Sequence, residues 1–273
     1  MEYLPALFLG VVQGVTEFLP VSSSGHLALF QQLFSMDESA LSYDVFLHFA
    51  TMAATVLFFR RDIVSLFRQW SSGFFSSSGR KTEGWTLGWA VVAGTVATGA
   101  IGLSLKPLVQ RAMTIPAAVG AGLLVTAALL WYGANLAFRD AVRPLTLRTG
   151  ILVGLIQGVA VLPGISRSGS TIVGGMKNGM APLDAFRFSF LLSLPAIFGA
   201  TLLEVRGLMK MDSWRATLPP GWILGVVLAF FTGLAALALL RRLVSRGQWK
   251  PFALYCALLG GLILALSVVR GIL

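Results

Sequence analysis

Long apolar stretches separated by short charged ones dominate this chain of 273 residues. A helix needs about 20 apolar residues to cross the hydrocarbon core of a bilayer. The pattern predicts transmembrane helices near Tyr43–Phe59, Trp85–Leu105, Ile115–Phe138, Leu183–Val205, Trp222–Leu240 and Pro251–Val269. We therefore predict an all-α polytopic membrane protein, with about six spans in a single integral membrane domain over 1–273.

Two further apolar regions, Tyr3–Phe34 and Gly150–Met180, contain residues that interrupt helices. The interruptions are Pro20, Ser22–Ser24 and Gly25 in the first region, and Pro163, Gly164, Ser166–Gly169 and the Gly174–Gly175 pair in the second. Proline removes a backbone donor and glycine relaxes the chain, so helices should stop there. Non-helical backbone at membrane depth survives only inside protein or beside a water-filled cavity. Each region therefore predicts a re-entrant helix hairpin with a polar tip.

Lysine and arginine concentrate in three predicted loops, Arg60–Lys81, Arg139–Arg148 and Arg241–Lys250. The alternate loops, Lys106–Arg111 and Arg206–Arg215, are poorer in positive charge. Cytoplasmic loops carry the excess of positive charge in membrane proteins, which assigns the first three loops to the cytoplasm. The first hairpin then enters the membrane from outside and the second from inside.

An internal repeat supports this opposite entry. The string Gly10-Val-Val-Gln13-Gly-Val resembles Gly154-Leu-Ile-Gln157-Gly-Val, and the two lie 144 residues apart (154 minus 10). Each string leads to a Leu-Pro pair and then to a cluster of serine and glycine. We predict inverted-topology repeats covering approximately 1–138 and 150–270. In such architectures the broken helices meet near the middle of the membrane and form the functional site there.

Composition agrees with a membrane protein. Hydrophobic residues make up 56% of the chain and charged residues only 12%, about half the charged fraction of a soluble domain. The net charge of +10 is explained by membrane topology and attraction to anionic lipid head groups, so no nucleic-acid partner is expected. Cys256 is the single cysteine, which excludes an internal disulfide and favours a small buried side chain.

The first hairpin carries Gln13, Glu17, Ser22–Ser24, Gly25 and His26. Gln13 and Glu17 are four residues apart and share one helix face. A carboxylate at membrane depth is costly, which makes it a functional candidate. The alternatives are that Glu17 only pairs with a distant arginine or reaches the membrane surface, and that Gln13 only hydrogen-bonds another helix.

The second hairpin carries Gly164, Ser166, Arg167, Ser168, Gly169 and Thr171. A guanidinium group beside hydroxyls and glycine backbone suits a phosphate, because its fork grips two oxygens. A helix starting within Ser168–Thr171 would add its positive dipole end. The alternative is that Arg167 and Glu17 form an ion pair that holds the hairpins together, which is compatible with phosphate binding.

Several other polar or aromatic residues have simpler interpretations. His48 is an intramembrane histidine that is as often structural as functional. Arg187, near a cytoplasmic span end, is expected to extend toward the membrane surface. Tryptophans near the predicted span ends form an interfacial belt, namely Trp85, Trp89, Trp131, Trp214, Trp222 and Trp249.

The strings Gln13–His26 and Leu162–Thr171 resemble the two signature motifs of the undecaprenyl-pyrophosphate phosphatase family of the bacitracin-resistance type. Phe186–Ile197 and Phe58–Asp62 are also similar to that family, so the resemblance covers nearly the whole chain. It implies a phosphatase that releases inorganic phosphate from a polyprenyl pyrophosphate and recycles the lipid carrier of cell-wall synthesis. It further implies a homodimer in the bacterial cytoplasmic membrane, with the site open toward the outer side, and a divalent cation, Mg²⁺ or Ca²⁺.

On this resemblance we predict roles for the clustered residues. Ser23, or next Ser22, is the candidate nucleophile, and His26 is the candidate acid or base. Glu17 is expected to orient His26 or to bind the cation with Gln13, which stands where relatives often have glutamate. Arg167 is expected to hold the phosphoryl oxygens, and the substrate-binding set is Ser22, Ser24, Gly25, Gly164, Ser166, Ser168, Gly169 and Thr171.

Two alternatives stay open. Water could attack the phosphorus directly while Ser23 only binds phosphate. The chain could also be a lipid flippase or small-molecule transporter, because inverted repeats with broken helices are typical of carriers. A purely structural scaffold does not explain a buried glutamate, histidine and arginine.

Overall fold

A computed structural model describes residues 3–34, 40–136, 143–210 and 214–269 of the chain. Those residues form helices and no strand. The α-helices are α1 (Leu4–Phe18), α2 (Ser23–Leu33), α3 (Ala40–Phe58), α4 (Arg60–Phe75), α5 (Glu83–Met113), α6 (Pro116–Leu136), α7 (Leu147–Val159), α8 (Arg167–Lys177), α9 (Pro182–Leu208), α10 (Trp222–Ser245) and α11 (Lys250–Val269).

The predicted spans are confirmed as long apolar helices. In the described part of the chain, α5, α6, α9, α10 and α11 are long and apolar enough to cross a membrane, and α3 with α4 gives up to six. The end of the predicted span Ile115–Phe138 lies outside the described residues. The chain is therefore an all-helical polytopic membrane protein.

Helix α4 corrects the prediction of a loop over Arg60–Lys81. The chain bends by 71° between α3 and α4 and then continues as a helix to Phe75. Ile63 and Leu66 pack against the hydrophobic core, whereas Arg61 and Arg68 are exposed. Mixed charged and apolar residues ended the apolar stretch in sequence, but at helical spacing they form an amphipathic helix of the kind that lies at a membrane surface.

Two other predicted loops are also largely helical. Lys106–Arg111 lies within α5, which includes Pro107, and Arg241–Ser245 belongs to the last turns of α10. Charged residues mark where an apolar stretch ends, but they are good helix formers, so the helices continue past that boundary. The loop between α5 and α6 is correspondingly short.

Both predicted hairpins consist of two helices separated by a short break. Leu19 ends α1 in an extended conformation with ψ 145°, as expected before Pro20. The break before α8 contains Pro163, and Ser166 caps α8 by accepting a hydrogen bond from Gly169 N at 3.1 Å. The prediction that the Gly174–Gly175 pair interrupts the second hairpin is wrong, because α8 continues to Lys177.

Each half of the chain packs the first helix of its hairpin against a helix of the other half. Helix α1 packs against α10 of the second half, and α7 packs against α5 of the first. Gly10 of α1 faces Gly225, and Gly154 of α7 faces Gly94, at distances too short for a side chain between them. Small residues of this kind let membrane helices approach closely. This packing is what two interlocked repeats would produce, while their boundaries and opposite orientations stay predictions.

Replacing Gly154 with alanine is expected to destabilise the protein. The new Cβ would collide with the backbone of Gly94, and overpacking of this kind costs about 1–3 kcal/mol. Gly199 of α9 is the matched control, because nothing lies within 4 Å of its Cβ position. Thermal unfolding in detergent should show Gly154→Ala below the wild type and Gly199→Ala at or above it. Equal midpoints for the two variants would contradict the packing.

Two side chains that were assigned to the membrane surface contact other helices. Arg187 pairs through Nε with Asp62 Oδ1 at 2.7 Å and through Nη1 with Glu83 Oε1 at 2.9 Å, which ties α9 to α4 and α5. Trp249 is 1% exposed and belongs to the hydrophobic core, so it is not part of an interfacial belt. Cys256 is confirmed as a buried free cysteine.

Candidate active site

The breaks of the two hairpins meet inside the protein. A Cβ placed on Gly25 would lie 3.4 Å from Gly164 Cα, and one on Gly169 would lie 3.1 Å from Pro20 Cβ. The predicted convergence of the two polar segments is therefore observed. Glycine at these positions lets the backbones of the two tips touch.

Helix α6 holds the second tip in place. The Thr126 hydroxyl donates to Gly164 O at 2.8 Å and accepts from Ser166 N at 2.9 Å. Gly164 has φ +83°, and a Cβ there would collide with Val119 O. This tip thus needs glycine at 164 both for its backbone conformation and for its approach to α6. Thr126 gave no signal in the sequence, because it is a single threonine in an apolar stretch.

Replacing Thr126 with valine is expected to lower kcat/KM by roughly 10- to 100-fold, because a small misplacement of the tip is enough to impair a reaction. The isosteric side chain leaves Gly164 O and Ser166 N–H without their partner. Thr95→Val is the control, since the Thr95 hydroxyl bonds Val91 O within its own helix. Steady-state kinetics of the reaction predicted from the sequence would measure both variants. Equal kcat/KM for the two would show that this anchor does not matter.

Glu17 is the centre of the meeting point. It is 8% exposed and forms an ion pair with Arg167 through Oε1. Its other oxygen, Oε2, accepts from Ser23 Oγ at 2.6 Å and from Gln13 Nε2 at 3.2 Å. Four of the residues predicted from sequence therefore form one hydrogen-bonded group, drawn from α1, α2 and α8. The arrangement places a carboxylate directly on the hydroxyl of Ser23.

Arg167 has a hydrogen-bond donor without a partner among the described residues. Its Nη2 bonds Glu17, but its Nη1 is buried and has no hydrogen-bond partner among the described residues. The guanidinium carbon lies 6.0 Å from the ring centroid of Phe190, on α9. Arg167 is also the first residue of α8, so the positive end of that helix lies at the same place, one residue before the predicted range Ser168–Thr171. A buried unpaired guanidinium nitrogen is costly and suits an incoming anion.

His26 takes part in a different contact from the predicted one. Its Nδ1 lies 2.8 Å from Ser22 O, and its Nε2 lies 2.7 Å from Tyr255 Oη of α11. Glu17 therefore does not orient His26 by a direct hydrogen bond, since both ring nitrogens have other partners. Ser22 has φ +69°, a strained conformation for a residue with a side chain. Tyr255 was missed because an isolated tyrosine within a span carries no pattern.

The other predicted hydroxyl residues lie around this group and make contacts of their own. Ser24 is half-buried, with its Oγ 3.4 Å from Ser22 Oγ. Ser168 Oγ lies 3.3 Å from Ser166 Oγ, and both serines are buried. Thr171 bonds Arg167 O and the hydroxyl of Ser189, so its hydroxyl serves the packing of α8 on α9.

Gln13 and Glu17 offer oxygen ligands of the type that Mg²⁺ and Ca²⁺ prefer. Gln13 Oε1 is buried and has no hydrogen-bond partner among the described residues, although its amide nitrogen bonds Glu17. Within the described part of the chain there is no cluster of three or more acidic, histidine or cysteine residues that could hold a metal ion. The pair therefore fits a cation that substrate oxygens and water also coordinate, and does not form a closed protein site. Gln157, the repeat counterpart of Gln13, instead bonds Thr98 of α5.

The fold and the site together define a class: a polytopic helical membrane protein whose buried polar site is built from two broken helices. A sequence profile of the family described as Bacitracin resistance protein BacA matches residues 6–262. This chain belongs to that family. It is 43% identical over 279 residues to the undecaprenyl-diphosphatase of Desulfosudis oleivorans, with 97% of this chain and 98% of the relative covered.

Two further relatives carry the same name. The undecaprenyl-diphosphatase of Desulfatibacillum aliphaticivorans is 40% identical over 285 residues, with 98% of this chain and 100% of the relative covered. That of Methanosphaera stadtmanae is 36% identical over 283 residues, with 98% of this chain and 99% of the relative covered. The similarity thus extends over whole chains and includes both hairpins.

Proposed function

We propose that this chain is a polyprenyl-pyrophosphate phosphatase, which hydrolyses undecaprenyl pyrophosphate to the lipid monophosphate and inorganic phosphate. One observation carries the proposal: a serine hydroxyl held on a buried carboxylate lies beside an arginine whose Nη1 has no partner in the described structure. These are the groups that phosphoryl transfer requires, a nucleophile with an adjacent base and a positive clamp. The names of the relatives supply the lipid substrate.

The residues suggest a two-step reaction. Ser23 Oγ attacks the terminal phosphorus while its proton passes to Glu17 Oε2, 2.6 Å away. A bond from Ser23 Oγ to phosphorus forms, the bond to the bridging oxygen breaks, and the lipid monophosphate leaves. Water then attacks the phosphoserine and passes a proton to His26, and the bond from Ser23 Oγ to phosphorus breaks. Ser23 Oγ recovers its proton from Glu17, and inorganic phosphate leaves. Arg167 neutralises the equatorial oxygens in both steps, and His26 is the candidate acid for the leaving oxygen.

We assign Glu17 the role of general base for Ser23, in place of the predicted role of orienting His26. A base must lie within hydrogen-bond reach of the proton that it removes, and Glu17 meets this condition for Ser23. The ion pair with Arg167 keeps the carboxylate charged in an apolar surrounding, as long as the pair stays together. When the pyrophosphate binds, Arg167 Nη1, which has no partner among the described residues, would bond it while Nη2 keeps its bond to Glu17.

A divalent cation belongs to the same proposal. Gln13 and Glu17 would hold it, and when bound it would neutralise charge on the pyrophosphate. We also propose the bacterial cytoplasmic membrane as location, with the site open to the outer side. The support is the sequence count, in which the stretches rich in arginine that follow α3 and α6 and that end α10 fall on one side of the membrane. A homodimer is the assembly that the resemblance implies and remains a prediction.

Release of inorganic phosphate tests the function. The purified protein in detergent, given undecaprenyl pyrophosphate with Mg²⁺ or Ca²⁺, should release phosphate and form the lipid monophosphate. EDTA should lower the rate, and restoring either cation should recover it. Failure to release phosphate, together with movement of the lipid across vesicle membranes, would overturn the proposal in favour of the carrier, which the names of the relatives do not favour.

A further inference from the structure

Tyr255 reaches the candidate site from a helix that the reaction does not otherwise use. It lies on α11, and its Oη is 2.7 Å from His26 Nε2 although the two residues are 229 positions apart. The two rings are nearly parallel, with centroids 5.8 Å apart and an interplanar angle of 10°. A hydrogen bond and a ring contact together fix both the position and the orientation of the imidazole.

The contact of His26 Nδ1 shows which ring nitrogen carries the proton. His26 Nδ1 lies 2.8 Å from Ser22 O, and a carbonyl oxygen only accepts, so Nδ1 carries the hydrogen. The neutral ring then has its lone pair on Nε2, where it accepts the hydrogen of the Tyr255 hydroxyl. If His26 is protonated, Nε2–H donates to the same oxygen. Tyr255 is thus a suitable partner in both protonation states.

The contact also joins α11 to the tip of the first hairpin. Tyr255 is 44% exposed, whereas His26 is only 5% exposed, so the tyrosine lies at the edge of the buried site. The next residue, Cys256, has its Sγ 3.7 Å from Pro20 O at the break of the same hairpin. Two consecutive residues of α11 therefore contact the break and the helix that follows it.

We propose that Tyr255 is the positioning residue of His26: Ser22 O sets the tautomer, and the Tyr255 hydroxyl holds Nε2 and thereby fixes the direction of the imidazole beside Ser23. This inference rests on the proposed function for its consequence in the reaction. The contact itself does not depend on the substrate. A role confined to packing α11 on α2 would need the ring of Tyr255 but not its hydroxyl.

Tyr255→Phe removes the hydroxyl and keeps the ring. Tyr132→Phe is the matched control. Tyr132 is similarly exposed, at 40%, and lies on α6. Tyr255→Phe is expected to lower kcat about 3- to 10-fold, the effect of one hydrogen bond, with KM within about twofold of the wild type. Tyr132→Phe should leave both constants unchanged. An unchanged kcat in Tyr255→Phe would overturn the proposal.

A spectroscopic measurement distinguishes positioning from packing without turnover. The chain has 2 histidines, so ¹⁵N-histidine NMR of the detergent-solubilised protein reports two rings, and His26→Ala assigns them. Tyr255→Phe should shift the Nε2 resonance of His26 and leave the His48 resonances in place. A loss of kcat without that shift would mean a packing role and overturn the proposal. The shift in a protein that releases no phosphate would overturn the proposed function while leaving the contact established.

Discussion

Replacing Arg167 with lysine is expected to lower turnover by about 10³-fold, although the charge is kept. Arginine residues that neutralise a phosphoryl transition state contribute effects of this size. A lysine provides one compact charge and cannot bond Glu17 with one nitrogen while it offers another to the phosphate. Phosphate release under saturating lipid pyrophosphate measures the effect. Arg187→Lys is the control, because Arg187 forms its ion pairs with α4 and α5, away from the site.

A second variant separates phosphate binding from a purely structural ion pair. Arg167→Ala alone leaves Glu17 as an unpaired buried carboxylate, which costs about 3–5 kcal/mol of stability. Combining Arg167→Met with Glu17→Gln removes both charges and should restore much of the thermal stability without restoring turnover. Substantial activity in this double variant would mean that the pair only holds the hairpins together.

The hairpin tips could be predicted because their signals are local. Pro20 and Pro163 stop their helices by removing a backbone donor, and the polar residues beside them stand out in apolar surroundings. The convergence of the tips followed from the repeat, since two related segments of opposite orientation meet at the middle of a membrane. The spans followed from length and hydropathy alone.

Other features depend on contacts that one segment does not encode. Thr126 and Tyr255 are ordinary residues within spans, and only the packing of α6 and α11 brings them to the tips. The partner of Ser23 could not be chosen between His26 and Glu17 from spacing, because Ser22 adopts positive φ and redirects the start of α2. The helical nature of α4 was not predicted because its charged residues interrupt the apolar stretch, and its apolar residues recur only at amphipathic spacing.

The site also breaks the symmetry that the repeat suggests. Gln13 turns to Glu17 in the site, whereas Gln157 at the matching position bonds Thr98 between α7 and α5. The second repeat has Gly158-Val159-Ala160 where the first continues toward Glu17, and so supplies no second carboxylate. The second hairpin contributes the positive charge instead. The predicted repeat would account for the scaffold, and the differences between the two tips account for the chemistry.

Replacing Ser23 with alanine is expected to lower turnover by about 10²- to 10⁴-fold, the usual contribution of a positioned proton-transfer group acting on its nucleophile. The hydroxyl bonded to Glu17 at 2.6 Å disappears, and the alanine fits the first turn of α2 without strain. Ser104→Ala is the control, because Ser104 is exposed and its hydroxyl bonds Ala100 O within α5. It should keep most of the activity.

Trapping the intermediate distinguishes attack by Ser23 from direct attack by water. With substrate labelled at the terminal phosphate, an acid quench within one turnover should leave label on the wild-type protein, and peptide mapping should assign it to Ser23. Ser23→Ala should carry no label, and Ser104→Ala should carry the wild-type amount. If Ser23→Ala keeps most of its turnover, Ser23 is not the nucleophile. If it loses turnover and the wild type never carries label, water attacks directly, and the short bond from Ser23 to Glu17 then serves to hold the carboxylate that activates that water.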